Sequence, residues 1–269
     1  CIFLGPSWMR GFVQAPPGKV LVIADFTSQE ILIGAACAED HSMMADYFSG
    51  DFYLGFAKRA GAIASDAQRG ESPEVDAARA LFKQLALAVQ YGMGFRGLAK
   101  RLGQSESRAK QLLKGHRRAY PDFWRWRERI GNAVAMNKPL KAALGWRLLP
   151  PYASKSSIAQ GKDSTLSSLN FPVQATGSEI LRATVIRLAA EGFEICATVH
   201  DSVVVELPLD GWKELKERLE FAMTEATRPL LNGHGVLVDS KVLLPGERYV
   251  DDRGREMFEL MGGRLGLDT

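Results

Sequence analysis

Val20 to Ala24 are apolar without interruption, and the run VLVIAD follows a Pro-Pro-Gly turn and stops at an acid, Asp25. A short β-branched run bounded by turn chemistry predicts a buried strand. From Ser28 the spacing changes, so that Ile31, Leu32, Ala35 and Ala36 share one face of a helix. An acid thus stands where a strand hands over to a helix, and a second, Glu30, follows at once.

From about Glu74 to Asn137 the pattern is mostly helical, with breaks at Gly92, Gly103 and Pro121. Residues 138–165, rich in Gly, Pro, Ser and Lys, predict loop or a short hairpin. A helix from about Ala175 to Gly192 follows, then the strands ICATVH and VVVELP, a helix from about Asp210 to Arg228, and a closing strand within GVLVDSKVLL. No internal repeat is present. The fold class expected is α+β, with a helical middle interrupting a body whose two halves lie at the chain ends.

Composition narrows this picture modestly. A chain of 269 residues that is 46% hydrophobic can bury a sizeable core as one large domain or two smaller ones, which argues against disorder. A formal charge of +3 is mildly basic and does not by itself establish a nucleic-acid partner. Cys1, Cys37 and Cys196 lack the spacing of a disulfide framework or zinc site, so a reducing, cytoplasmic setting is expected. No apolar stretch reaches the roughly 18 residues that span a bilayer, and CIFLGPSWMR lacks the basic-then-apolar order of a signal peptide, so no membrane partner is expected. The first residue is Cys1 rather than Met, so an excerpt of a longer chain or a processed product is expected.

The candidate chemistry begins with two strand-end acids. Asp201 falls at the tip between ICATVH and VVVELP, where ordinary turn chemistry would also place Asp and Ser. Strand-end acids from distant parts of a sheet can instead converge on Mg²⁺, and two such ions about 3.5–4 Å apart serve phosphoryl transfer. In RALFKQLALAVQYGMG, Ala78, Leu81 or Phe82, Leu85 and Val89 make a packing face, leaving Arg79 and Lys83 one turn apart on another side. That pair reads either as a solvated face or as a grip on a triphosphate, Arg as a fork and Lys as a point charge able to donate a proton. Residues 108–129 interleave eight Arg or Lys with Tyr120, Phe123, Trp124 and Trp126. Helix packing and a nucleic-acid surface are both open readings there.

Taken in order, three segments resemble motifs A, B and C of the family A DNA polymerases, the DNA polymerase I family. Asp25-Phe26-Thr27-Ser28-Gln29-Glu30 is similar to the family's Asp-Tyr-Ser-Gln-Ile-Glu; Arg79, Lys83, Tyr91 and Gly92 keep its Arg, Lys and Tyr-Gly spacing; Val199-His200-Asp201 matches its Val-His-Asp. Asn170, Pro172 and Gln174 resemble the segment before motif C. The likeness spans roughly residues 8–245, and the ordered set is far more specific than any one motif.

The resemblance implies a palm whose antiparallel sheet carries the catalytic carboxylates, with an inserted helical fingers domain. Residues 1–58 would be the first part of the palm, 59–149 the fingers and 150–269 the second part of the palm. It implies a template-directed DNA polymerase core using two Mg²⁺ ions, with primer-template DNA and deoxynucleoside triphosphates as partners, in a bacterial or phage-infected cytoplasm. Asp25, Asp201 and the Phe26 carbonyl would bind metal. Arg79 and Lys83 would hold phosphates, Lys83 also protonating the departing pyrophosphate, and Glu30 would crowd the sugar's 2′ position. Leu87 and Tyr91 would line the nucleotide site, Tyr91 lying against the templating pair, while Gln174, Asn170 and His200 would touch the primer terminus or minor groove.

Three positions depart from the family pattern. Leu87 replaces its usual Phe or Tyr, Ser202 replaces the usual Glu after the motif C Asp, and Tyr53 in Asp51-Phe52-Tyr53 replaces a frequent His. They point to a divergent, phage or prophage-like branch. The family's thumb, first palm segment and exonuclease domain are not expected within this stretch, which implies a weak grip on duplex and little or no activity in isolation. Two rival readings are a non-catalytic nucleic-acid-binding remnant of the fold and a metal-dependent nuclease using the same carboxylates.

Overall fold

The computed structural model describes residues 5–150 and 164–266. The expected loop over 151–163 and Cys1 lie outside the described residues. The chain packs as two compact units, one made of Cys1–Thr27, Ile180–Pro229 and Gly233–Thr269, the other of Ser28–Glu179 and Leu230–Asn232.

The first unit is built on a four-stranded antiparallel sheet in the order β4-β5-β1-β6, from β1 (Lys19–Phe26), β4 (Glu194–Val199), β5 (Ser202–Pro208) and β6 (Val238–Leu243). The central strands β1 and β5 show why their sequences lack alternation. Val20 to Ala24 and Val203 to Val205 are buried on both faces, whereas the edge strands β4 and β6 alternate between covered and open positions. Helix α9 (Trp212–Thr227) packs on β1, β5 and β6 with Leu219, Ala222, Met223 and Ala226 buried. Helix α10 (Arg255–Leu265) lies against the N-terminal 3₁₀ turn Ser7–Phe12. Gly11 permits that approach, because a Cβ there would stand 2.3 Å from the Phe258 ring.

The second unit is helical: α1 (Gln29–Ala38), α2 (His41–Phe48), α3 (Phe52–Arg59), α4 (Pro73–Gln90), α5 (Phe95–Leu102), α6 (Glu106–Ala119), α7 (Pro121–Ala135), and the start of α8 (Ser164–Ala190). The expected hairpin forms from β2 (Leu140–Lys141) and β3 (Arg147–Leu148). The buried Glu179 carboxylate holds its turn, accepting from the Leu144 and Trp146 amides at 2.6 and 3.2 Å. An aromatic core of Phe52, Phe56, Phe82, His116, Tyr120 and Phe123 ties α3, α4, α6 and α7 together. Beneath it Asp46 takes a fork from Arg59 at 2.6 and 2.7 Å and the Tyr120 hydroxyl at 2.8 Å.

The α+β expectation with an antiparallel sheet is met. Two local expectations change, at the start of α8 and at Arg127, and the open reading of residues 108–129 resolves. Helix α8 begins at Ser164 rather than near Ala175, and Pro172 sits inside it. Tyr120 and Phe123 are core, whereas Arg108, Lys110, Arg117 and Arg118 remain exposed. Arg127 is buried instead of joining that charged surface, because its Nη1 donates to the Gln90 carbonyl at 2.9 Å and its guanidinium lies over Phe123.

Candidate active site

The acids and the cations singled out in the sequence belong to different units, the acids Asp25 and Asp201 to the first and the cations Arg79 and Lys83 to the second. Strand pairing explains the acids. Asp25 ends β1 opposite Ser202 of β5 on one side and Asp239 of β6 on the other. The β4–β5 hairpin turns through His200, whose φ of 54° is left-handed, and Ser202 closes the turn by donating to the Val199 carbonyl at 2.9 Å. The Phe26 amide donates to the Asp201 carbonyl at 3.2 Å, which fastens the hairpin tip to β1. Two acids far apart in sequence are thereby neighbours at one end of the sheet.

Their electrostatics show the crowding. Asp25 is open to solvent as a residue, yet packing round its carboxyl group, then the Asp201 and Asp239 carboxylates, push its pKa up to about 7. Asp201 is raised by burial, against lowering by its backbone hydrogen bond and by His200. Asp239 was not singled out in the sequence. Its signal was there, since a lone acid in the apolar run GVLVDSKVLL repeats the signature of Asp25 in VLVIAD.

Among the described residues no three His, Cys, Asp or Glu side chains form a ready-made metal cage. The donor chemistry nonetheless suits Mg²⁺, which typically takes one or two carboxylates and completes its shell with water and substrate oxygens. Carboxylates that repel one another at a strand end are also stabilised by a cation between them.

In the second unit, α4 starts at the Ser72 cap, whose hydroxyl accepts from the Val75 amide at 3.3 Å, with Pro73 in the first turn. Phe82, Leu85 and Val89 are buried as expected, which leaves Lys83 exposed and Arg79 and Leu87 half-buried on the other side. Arg79 Nε donates to Asp51 at 2.5 Å. The Arg79 guanidinium and Lys83 Nζ each lie 5.7 Å from the centre of the Tyr53 ring.

Glu30 gathers a second group in this unit. Its carboxylate accepts from the Tyr91 hydroxyl at 3.2 Å and from Gln174 Nε2, and its carbonyl accepts from Gln90 Nε2 at 3.1 Å. Tyr91 is half exposed at the end of α4. Asn170, one turn before Gln174 on α8, is buried, and its Oδ1 has no hydrogen-bond partner among the described residues. His200 belongs to the first unit, beside Asp201.

Comparison with known proteins adds ancestry to geometry. The family model described as DNA polymerase family A matches residues 6–241. A DNA polymerase of Mycobacterium phage D29 is 28% identical over 228 residues, covering 84% of this chain and 35% of that protein. DNA polymerase I of Aquifex aeolicus is 26% identical over 257 residues, covering 91% of this chain and 42% of that protein. The chain thus spans well under half the length of these relatives. Among solved structures, the POL domain of Pol1 from M. smegmatis, in complex with DNA primer-template and dNTP, matches 89% of this chain and 42% of its own, with a TM-score of 0.75 at 21% identity. At that identity the likeness speaks for the fold.

Proposed function

Because the chain belongs to DNA polymerase family A, we propose that it is the catalytic core of a template-directed DNA polymerase, joining deoxynucleotides to a primer 3′-hydroxyl with release of pyrophosphate. The observation that carries the reading is the meeting of Asp25 and Asp201 at one strand end, in a chain that also keeps Arg79 and Lys83 on one helix. The M. smegmatis POL domain, in complex with DNA primer-template and dNTP, supports the same partners.

In this reading residues 1–58 and 150–269 serve as palm and 59–149 as fingers, functional divisions that need not follow the packing units. Asp25, Asp201 and the Phe26 carbonyl would hold two Mg²⁺ ions. When bound, the ions supply the positive charge that favours an attacking alkoxide and a departing oxygen. Asp25 and Asp201 position that charge. Arg79 forks the phosphate tail, and Lys83 neutralises it and passes a proton to the pyrophosphate as it leaves. Glu30 crowds the 2′ position, held by Tyr91 and Gln174. Leu87 and Tyr91 line the nucleotide, and Gln174, Asn170 and His200 steady the primer end.

Primer extension tests the reading directly: the chain, joined to the thumb and first palm segment of a family A relative, is incubated with Mg²⁺, a primer-template and all four deoxynucleoside triphosphates. Nucleotide-dependent lengthening supports it. Degradation without lengthening would make the chain a nuclease, and binding without either would make it a non-catalytic remnant.

A further inference from the structure

Arg79 and Lys83 do not stand alone on α4. Both are brought to one aromatic ring, that of Tyr53 in the first turn of α3. The Tyr53 hydroxyl is hydrogen-bonded with Ser28 Oγ at 3.2 Å, and Ser28 occupies a left-handed conformation just ahead of α1. Two residues earlier, Asp51 uses one carboxylate oxygen to cap α3, accepting from the Tyr53 and Leu54 amides at 3.1 Å each, and the other to accept from Arg79 Nε. All of these groups lie in the second unit.

The geometry has a consequence for the guanidinium. Among the described residues Arg79 pairs with Asp51 through Nε, which leaves the two terminal nitrogens as the fork that suits a phosphate. Meanwhile the Tyr53 ring attracts both cations through its negative face, limiting the conformations of two long side chains before any ligand arrives. Tyr53 is itself 8% exposed and anchored at its hydroxyl, so the platform is rigid.

We propose that Tyr53 is a positioning residue that preorganises Arg79 and Lys83 as a paired receptor for a polyphosphate tail, with Asp51 orienting the Arg79 fork. The proposal deepens the polymerase reading, on which it rests for the identity of the tail. It gives Tyr53 a function of its own at a position where the family pattern frequently has a His.

The test uses inorganic tripolyphosphate and a deoxynucleoside triphosphate as probes, with affinity measured by titration calorimetry on the 269-residue chain. Tyr53→Phe keeps the ring and should bind within about twofold of the parent. A series of mono-, di- and trifluorinated phenylalanines at position 53 changes the ring quadrupole with little change in shape, so folding is retained. Affinity should fall stepwise, by about five- to tenfold over the series. In an Arg79→Ala/Lys83→Ala background the same series should have no further effect. A flat fluorination series in the parent, or an equal decline in the double-alanine background, would overturn the positioning role. If Arg79→Ala and Lys83→Ala leave both probes bound as in the parent, the polymerase reading of α4 fails and the proposal with it. If those two weaken binding while fluorination is silent, only the role of Tyr53 fails.

Discussion

Two single residues give the protein opposite responses to pH. Asp25, with a pKa pushed up to about 7 from an ordinary 3.8, is favoured in its protonated form in the fold. Its stabilising contribution is complete below the ordinary value and is lost as pH rises through about 7. His116 runs the other way: burial beneath the aromatic core pushes its pKa down to about 3, while Trp124 Nε1 donates to its Nδ1 at 3.0 Å. The unfolded chain binds that proton first, so stability falls as pH drops from about 6.5 towards 3, by up to about 1.4 kcal/mol per pH unit. Thermal or urea unfolding across pH 4–8.5 checks both. The two windows overlap between about pH 4 and 6.5, where the slopes oppose and the parent's stability should be nearly flat; Asp25→Asn should leave stability that falls on acidification there, and His116→Gln should leave stability that falls as pH rises towards about 7. Mg²⁺ added at pH 8 should raise the melting temperature of the parent chain more than of Asp25→Asn; equal shifts would take Asp25 out of the metal site.

At the scale of elements, the readable parts were those whose burial is written in consecutive residues. Val20 to Ala24 and Val203 to Val205 are buried on both faces, so their sequences are continuous apolar runs that local pattern recognises. The acids ending or starting those runs were legible for the same reason, as was the buried stripe of α4. Helices α2 and α3 were not anticipated, because each has only eight residues and a mixed pattern, and their caps at Asp40 and Asp51 also bind partners far along the chain. The early start of α8 was hidden by Pro172. The pairing of Arg79 with Asp51 and the placing of Asp239 opposite Asp25 are tertiary facts, since nothing in residue spacing brings those groups together. The aromatic core tests the element picture: Phe123→Ala should destabilise the fold by about 3–5 kcal/mol in urea titration, because a fully buried ring is lost from between α6 and α7. On α4, Lys83→Ala should slow the chemical step by about 10²- to 10⁴-fold in rapid-quench incorporation if the ammonium donates a proton. A rise in KM alone would confine Lys83 to binding.

For the whole molecule, a strand-end acid pair is a local product of strand pairing, whereas polymerisation requires a cation-bearing helix to serve the same nucleotide. The exposed basic face of α6 supplies charge suited to a nucleic-acid backbone without defining a sequence preference. The measurement that bears most directly on the account is single-nucleotide incorporation in Mg²⁺ by the parent, the chain joined to a relative's thumb and first palm segment, and by the same protein carrying Asp201→Asn, with primer-template affinity followed in parallel. The account predicts that the parent extends the primer, that the substitution abolishes extension, and that both bind DNA with closely similar affinity. Incorporation by Asp201→Asn at the parent's rate would contradict it, because the paired carboxylates would then not be the seat of the chemistry.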